Sequence, residues 1–461
     1  QFILGSLPDN DQWNYTLGVR HKLYLENSYW TFVASRSMLN NRVVKYQNND
    51  DSTEDNLSLK FISQEIDNKF RLENTARIKG WKYTFGLGSE ISKFTNSTFN
   101  KVFIPNIGEQ TIDFNAELIF AKYSAFGQLS KSIFNNRLDV SIGMRLDGTS
   151  YNTNMSNPFK QFSPRLSLNL GITEQLSLNF NTGIYYQLPA YTLLGYQNSN
   201  GDLLNKGALE YINNKQVVLG LQYGTRKNSK LSVEGFLKLY DNYPFLLNDS
   251  ISFANLGGDF GVIGNDIADA SSAGRSYGVE FLFQQKLFKG WYGIMAYTLY
   301  WSEFKDKNGD FVPSAWDSRH IISLTGGKKF NKNWEIGARW GIQGGSPYTP
   351  YDLFESARPE NFDNSGRGIK DFDQLNALRT KWFHQLNVRV DKKWFFEKWS
   401  LNLYLDVQNI YNFQGEGAPE FTVLRDESGV PILNNNGSYD GYTYTSATGT
   451  LVPSIGIVVK L

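Results

Sequence analysis

Apolar and polar residues alternate one by one along much of this chain. Between Trp334 and Gly345 one set is Trp334, Ile336, Ala338, Trp340 and Ile342, and the other is Glu335, Gly337, Arg339, Gly341 and Gln343. A strand sends successive side chains to opposite faces, so the sets predict two faces of one strand. The same period recurs in Leu138 to Asp147, Arg165 to Ile172, Leu386 to Asp391 and Trp399 to Gln408. A period of 3.6 is nearly absent; only Phe372 to Arg379 predicts a helical turn, inside a loop.

The alternation predicts seventeen strands, near residues 13–26, 29–45, 58–77, 80–95, 114–132, 137–151, 162–173, 176–187, 211–226, 230–243, 275–287, 291–304, 319–330, 334–345, 383–394, 399–412 and 451–461. The connections alternate in length. Tight ones such as Lys79-Gly80, Asn135-Asn136, Lys227-Asn228-Ser229 and Phe288-Lys289-Gly290 take turns with long ones at 46–57, 96–113, 152–161, 188–210, 244–274, 305–318, 346–382 and 413–450. Short turns at one end and long loops at the other describe an all-β, antiparallel, up-and-down transmembrane β-barrel. A closed sheet this wide cannot be filled by its own side chains. The apolar set is therefore expected to face lipid and the polar set a wet or plugged lumen. Trp13, Trp30, Trp81, Trp291, Trp301, Trp334, Trp382, Trp394 and Trp399 fall near strand ends, where an interfacial girdle belongs. A propeller or solenoid would need a fixed repeat, and none appears.

Single-chain bacterial barrels have even strand numbers and begin and end on the inner side. Here the first connection is short, so the first strand runs inward and residues 1–12 fall in an outer loop. Residues 1–461 are then expected to be the last seventeen strands of a 22-stranded barrel, with about five strands and a plug ahead of them. The chain opens at Gln1 without a leader, as expected of a processed polypeptide.

Composition narrows the chemistry. There are 33 Phe, 26 Tyr, 11 Trp and 41 Gly, an aromatic and glycine excess. The 46 Lys and Arg nearly balance 45 Asp and Glu without a basic cluster, so no nucleic-acid partner is expected. Cysteine is absent, and His21, His320 and His384 are far apart in sequence, so no metal site and no cofactor are expected. No apolar run reaches the roughly 18 residues of a membrane helix. A nucleophile elbow and a phosphate-binding glycine loop are both missing, so no enzyme is expected.

Several stretches together resemble the barrel of TonB-dependent outer-membrane receptors, in the form common in Bacteroidota. They are "RLDVSIGMRLD" (137–147), "FSPRLSLNLGI" (162–172), "AWDSRHIISLTGGKKF" (315–330), "GGSPYTPYD" (344–352), "LNLYLDVQNIYN" (401–412) and "VPSIGIVVKL" (452–461). The resemblance implies the outer membrane of a Gram-negative bacterium, with long loops extracellular and short turns periplasmic. Its implied partners are outer-membrane lipid, the protein's own plug, the TonB complex reached through a segment ahead of the plug, and a possible surface lipoprotein. It implies active import of a scarce, bulky nutrient: a siderophore, haem, cobalamin, a glycan or a peptide. Leu461 departs from the family, whose members usually end in an aromatic residue; Ile455, Ile457 and Val459 keep the alternation before it. The alternative is a passive porin, or a structural barrel serving another envelope complex.

Candidate substrate contacts lie where aromatic and hydrogen-bonding groups cluster at strand exits: Tyr186, Gln187, Tyr191 and Tyr196 in one loop, Tyr348 and Tyr351 in a proline-spaced one. Trp316 and Arg319 of "AWDSRH" join them, although Asp317 and Arg319 also suit a loop-to-strand junction. Charges of the polar set, among them Arg145, Arg165, Arg339, Arg389 and Asp406, are expected to bond one another, water or a plug. The acidic stretch 48–55 lacks the spacing of a calcium loop and reads as solvated.

Overall fold

The computed structural model describes residues 8–104, 108–198, 200–225, 228–256 and 266–461. Seventeen long strands run antiparallel, each beside its neighbours in the chain, in one sheet. The first nine are β1 (Asp9–Tyr24), β2 (Ser28–Tyr46), β3 (Leu57–Ile78), β4 (Trp81–Ile104), β5 (Gly108–Ile133), β6 (Leu138–Thr149), β7 (Phe162–Gly171), β8 (Leu176–Gln187) and β9 (Ile212–Gly224). The rest are β10 (Ser229–Leu246), β11 (Ala268–Phe288), β12 (Trp291–Lys305), β13 (His320–Lys329), β14 (Trp334–Gln343), β15 (Phe383–Phe395), β16 (Ser400–Gln408) and β17 (Val452–Lys460). Two short strands, Ile251–Ser252 and Phe311–Pro313, add to the outer ends of β10 and β12. Among the described residues β1 pairs only with β2, and β17 only with β16, so each carries one unpaired edge.

Every expected strand is present and in order. The tight turns explain the register. Lys79 and Gly80 have φ of 50° and 80°, and Lys289 and Gly290 have 50° and 85°. Positive φ at both central residues is the hairpin geometry that follows strand twist. Lys227, expected in another turn, lies outside the described residues.

The two faces divide as expected in the membrane-height part of the sheet. On β14, Trp334 and Ile336 are 45% and 43% exposed, while Glu335 and Gly337 are half-buried. Ile142 and Met144 on β6, and Leu219 and Leu221 on β9, are likewise exposed on the outside. A bilayer needs about 9–11 tilted residues per strand, and β13, β14, β16 and β17 have 10, 10, 9 and 9. By contrast β3, β4 and β5 have 22, 24 and 26, and form a tall wall on one side.

That wall corrects the sequence reading. The expected loop 96–113 is a paired hairpin, in register from Thr98 opposite Phe114 to Ile104 opposite Gly108; residues 105–107 lie outside the described residues. Above the bilayer the outer face meets water, so the lipid-facing apolar set that marks a strand stops while the backbone ladder continues. Within 96–113 the alternation has no apolar set to mark it: Asn96 and Thr98 are buried and Ser97 is exposed, all three polar. For the same reason β10 and β11 run into the expected loop 244–274, of which 257–265 is not described. Asp9 to Gln12, expected in an outer loop, are strand, and residues 1–7 are not described. The expected helical turn at 372–379 is a 3₁₀ turn at Phe372–Gln374 followed by a two-residue strand, Leu378–Arg379.

The glycine and aromatic excess has a use in the ladder. Among the described residues, several aromatic rings cover the glycine directly opposite them on the next strand, as in Tyr123 and Gly148, Phe126 and Gly86, Phe304 and Gly274, Tyr292 and Gly327, Tyr404 and Gly456. In each pair the ring lies over the glycine, so a Cβ there would meet ring atoms at 2.2 to 2.7 Å. A ring covering a bare glycine restores packing that the glycine alone lacks.

Candidate functional site

The outer connections pack on one another. Tyr151 and Met155 from the 150–161 connection, Leu193, Leu194 and Leu209 from 188–211, and Phe253 from 247–267 form one apolar core with Phe94, Leu118 and Phe120 of the tall wall. Fully burying each such side chain contributes about 1.5–3 kcal/mol, so this unit has the makings of a small folded domain. Asn205, fully buried, ties two of the connections: its Nδ2 donates to the carbonyls of Leu193 and Asp266, and its Oδ1 accepts from the Ala268 amide, all at 2.9 Å. A second cluster, Ala357, Phe362, Phe421 and Val423 with Tyr351 and Tyr439, joins the 344–382 and 409–451 connections. Asn376 Nδ2 bonds across to the carbonyls of Asn255 (3.0 Å) and Pro313 (2.9 Å), tying the 344–382 connection to the two connections that precede it.

Under the first cluster lies a half-open cavity of about 1360 Å³, bordered by residues of the first ten strands and by Leu188 to Thr192. Tyr191, on the one-turn helix Tyr191–Leu194, fastens this roof to the wall. Its hydroxyl accepts from Lys122 Nζ at 2.5 Å and lies 3.2 Å from both Asp67 Oδ1 and Ser92 Oγ. Lys122 also pairs with Glu90, and Ser92 Oγ donates to Asp67 at 2.6 Å. Burial first, and then the charges of Asp67 and Glu90, push the Tyr191 phenol well above the usual tyrosine value, so it stays neutral. Lower on the wall, Arg145 forks onto Asp147 at 2.7 to 2.9 Å, and the Arg165 guanidinium lies 4.4 Å over the Tyr185 ring.

The candidate residues separate into two groups. Tyr186, Gln187 and Tyr191 border the cavity. Tyr196 instead packs edge-on against Phe114, with ring centroids 5.5 Å apart. Trp316 is 43% exposed at the rim. Arg319 is held by Asp317 at 3.2 Å, and Arg379 donates to the same buried carboxylate at 3.1 Å, so this trio ties the 306–319 connection to the 344–382 connection. Tyr348 pairs with Leu378 within the latter connection, and the Tyr351 ring carries Lys370 Nζ 3.6 Å from its centre. Burial raises the Tyr351 phenol and lowers the Lys370 ammonium. Lys122, Asp67 and Glu90 border or brace the cavity and were not singled out from sequence. Their inward parity was readable; their meeting with a distant loop was not. Among the described residues no group of three His, Asp or Glu stands close enough to hold a metal ion.

The family of TonB dependent receptor-like β-barrels matches residues 3–410. The chain belongs to that family. Solved structures similar to this receptor-family barrel include the ferripyoverdine receptor of the outer membrane of Pseudomonas aeruginosa, bound to ferripyoverdine (13% identity, TM-score 0.63, 97% of this chain and 56% of that one). Others are the ferric yersiniabactin uptake receptor of Yersinia pestis (12%, 0.63, 98% and 62%) and the copper transporter OprC (14%, 0.64, 99% and 67%). At these identities the likeness is one of fold. The receptor-family chain spans 56% to 67% of the length of these three. No curated protein sequence matches it.

Proposed function

We propose that this chain forms the wall of an active importer in the outer membrane of a Gram-negative bacterium, with its long connections outside. The observation that carries the reading is the roofed cavity. Packed connections cover a chamber of about 1360 Å³ on the inner face of the sheet. Ordinary small-ligand pockets hold about 300–1,000 Å³, so the chamber suits a bulky nutrient of the siderophore, haem, cobalamin, glycan or peptide kind. A passive pore needs no such cover, whereas a chamber capped on its outer side by a packed roof requires work to pass its cargo. An unpaired strand edge is costly in a bilayer. The reading therefore includes further strands of the same protein closing β1 to β17, a plug inside, and the TonB complex supplying the work.

The test uses whole cells with and without the gene, fed a mixture of those nutrient classes and followed by mass spectrometry of the medium. Removal of at least one compound is expected to depend on the protein and to stop when a protonophore collapses the proton gradient. Protein-dependent removal that continues without the gradient refutes active import.

A further inference from the structure

We infer that Arg165 is an oxyanion-binding residue of the roofed cavity, and that the cargo presents a carboxylate there. The inference deepens the importer reading and rests on it for its physiological meaning.

The sequence builds an open bay around this side chain. Arg165 stands on β7 with Gly143 opposite it on β6 and Gly183 opposite it on β8. Its same-face neighbours along β7 are Ser163 and Ser167, both small. No cross-strand side chain is therefore placed to take the charge. The other cations bordering the cavity each have a carboxylate: Lys69 has Asp67, Arg71 has Glu73, Lys122 has Glu90, Arg145 has Asp147 and Arg42 has Asp9. Arg165 makes no hydrogen bond or ion pair with any described residue, and its Nε is buried without an acceptor.

The group is nonetheless held in place. Its guanidinium lies 4.4 Å over the ring of Tyr185, which stands two residues beyond Gly183 on β8. A stacked, planar fork of donors is the form in which arginine recognises carboxylates in two parallel hydrogen bonds. Neither terminal nitrogen of the guanidinium makes a hydrogen bond with a described residue, so that edge of the fork has no acceptor there. The position is high in the lumen, three residues from the outer end of β7, and it borders the same cavity as Gln187 and Tyr191. Phe126 and Tyr211 also border it, so the remainder of the cargo meets aromatic walls.

The test uses the full-length protein in detergent micelles, with benzoate as probe and benzamide as its neutral counterpart. Phenylglyoxal, which modifies guanidinium groups, is applied, and the peptide carrying residue 165 is quantified by mass spectrometry. Arg165 is expected to react in the ligand-free protein and to be protected by benzoate but not by benzamide. R165Q is expected to weaken benzoate binding by about tenfold or more, with R165K in between because it keeps the charge and loses the fork. Heat-modifiable migration of the variants checks that the barrel is intact. An unreactive Arg165 in the ligand-free protein overturns the inference, since another part of the protein then holds the guanidinium. Equal protection by benzoate and benzamide, or unchanged benzoate binding in R165Q, overturns it too. The importer reading fails separately: protein-dependent uptake that survives a collapsed gradient removes that reading while a benzoate-protected Arg165 stands.

Discussion

Replacing Asn205 by alanine isolates the cohesion of the roof from that of the barrel. The side chain is fully buried and makes three bonds at 2.9 Å, two from Nδ2 and one into Oδ1. Its removal leaves two carbonyls and the amide of buried Ala268 without those partners. Each buried polar group so stranded costs about 1–3 kcal/mol, and partial relaxation onto water recovers some of that. A net loss of about 3 kcal/mol in the roof corresponds to roughly a hundredfold increase in its opening. None of the three bonds belongs to a ladder between long strands, so the sheet should hardly notice. The assay is hydrogen exchange in lipid nanodiscs, read peptide by peptide. Amides of 188–211 and 266–268 should exchange about two decades faster in N205A, while β12 to β16 keep their rates. N205D should be worse, because a carboxylate would face the two carbonyls. Unchanged roof exchange in N205A, or equal acceleration in roof and sheet, would refute the idea that this amide holds a separate cooperative unit.

Three further outcomes follow from the same geometry. Tyr151, Tyr191 and Tyr211 all have phenols raised by burial, so they stay neutral in the folded roof after their unfolded counterparts ionise near pH 10. That stabilisation is fully present below about pH 10 and is lost as pH rises toward the raised folded values; roof exchange should accelerate there, and less steeply in Y191F. G148A should drive Tyr123 off the glycine it covers, where a Cβ would come within 2.4 Å of the ring, at about 1–3 kcal/mol. A Y123A/G148A cycle by denaturant unfolding checks the coupling, and additive effects would contradict it. D317A removes the fully buried carboxylate shared by Arg319 and Arg379; because both guanidiniums are about a third exposed, water softens the loss to about 2–3 kcal/mol. Limited proteolysis should then cut within 344–382 sooner than in the parent, and an unchanged pattern would count against the junction role.

What the sequence disclosed follows the solvent each face meets. Lipid on one side and a polar lumen on the other impose a strict period of two, so β6, β14 and β16 could be read residue by residue. The top of the tall wall, 96–113, could not, because its inward residues Asn96 and Thr98 are polar and no lipid-facing apolar set marks the strands there. The candidate site was legible in part. Tyr186, Gln187 and Tyr191 were placed by aromatic clustering at a strand exit. Tyr196 and Tyr351 share that local chemistry and are spent on packing, a distinction set by partners such as Phe114 and Phe421 that are far away in sequence. That Arg145 would bond within the wall, to a plug or to water was an expectation of the polar set; its partner Asp147, two residues away on the same face, came from the structure. The isolation of Arg165 did too, since it depends on two glycines contributed by different strands.

The shared core beneath the outer connections also constrains how this molecule can be remodelled. Connections that stand apart can be lengthened, shortened or exchanged one at a time. Here 150–161, 188–211 and 247–267 interlock with one another and with the inside of β4 and β5. A graft of any one of them into another barrel would arrive without the surfaces it folds against, and would leave a gap in the donor. Variation on this side of the mouth is therefore channelled to the tips that lie outside the core, and the transferable unit is the trio together with its wall.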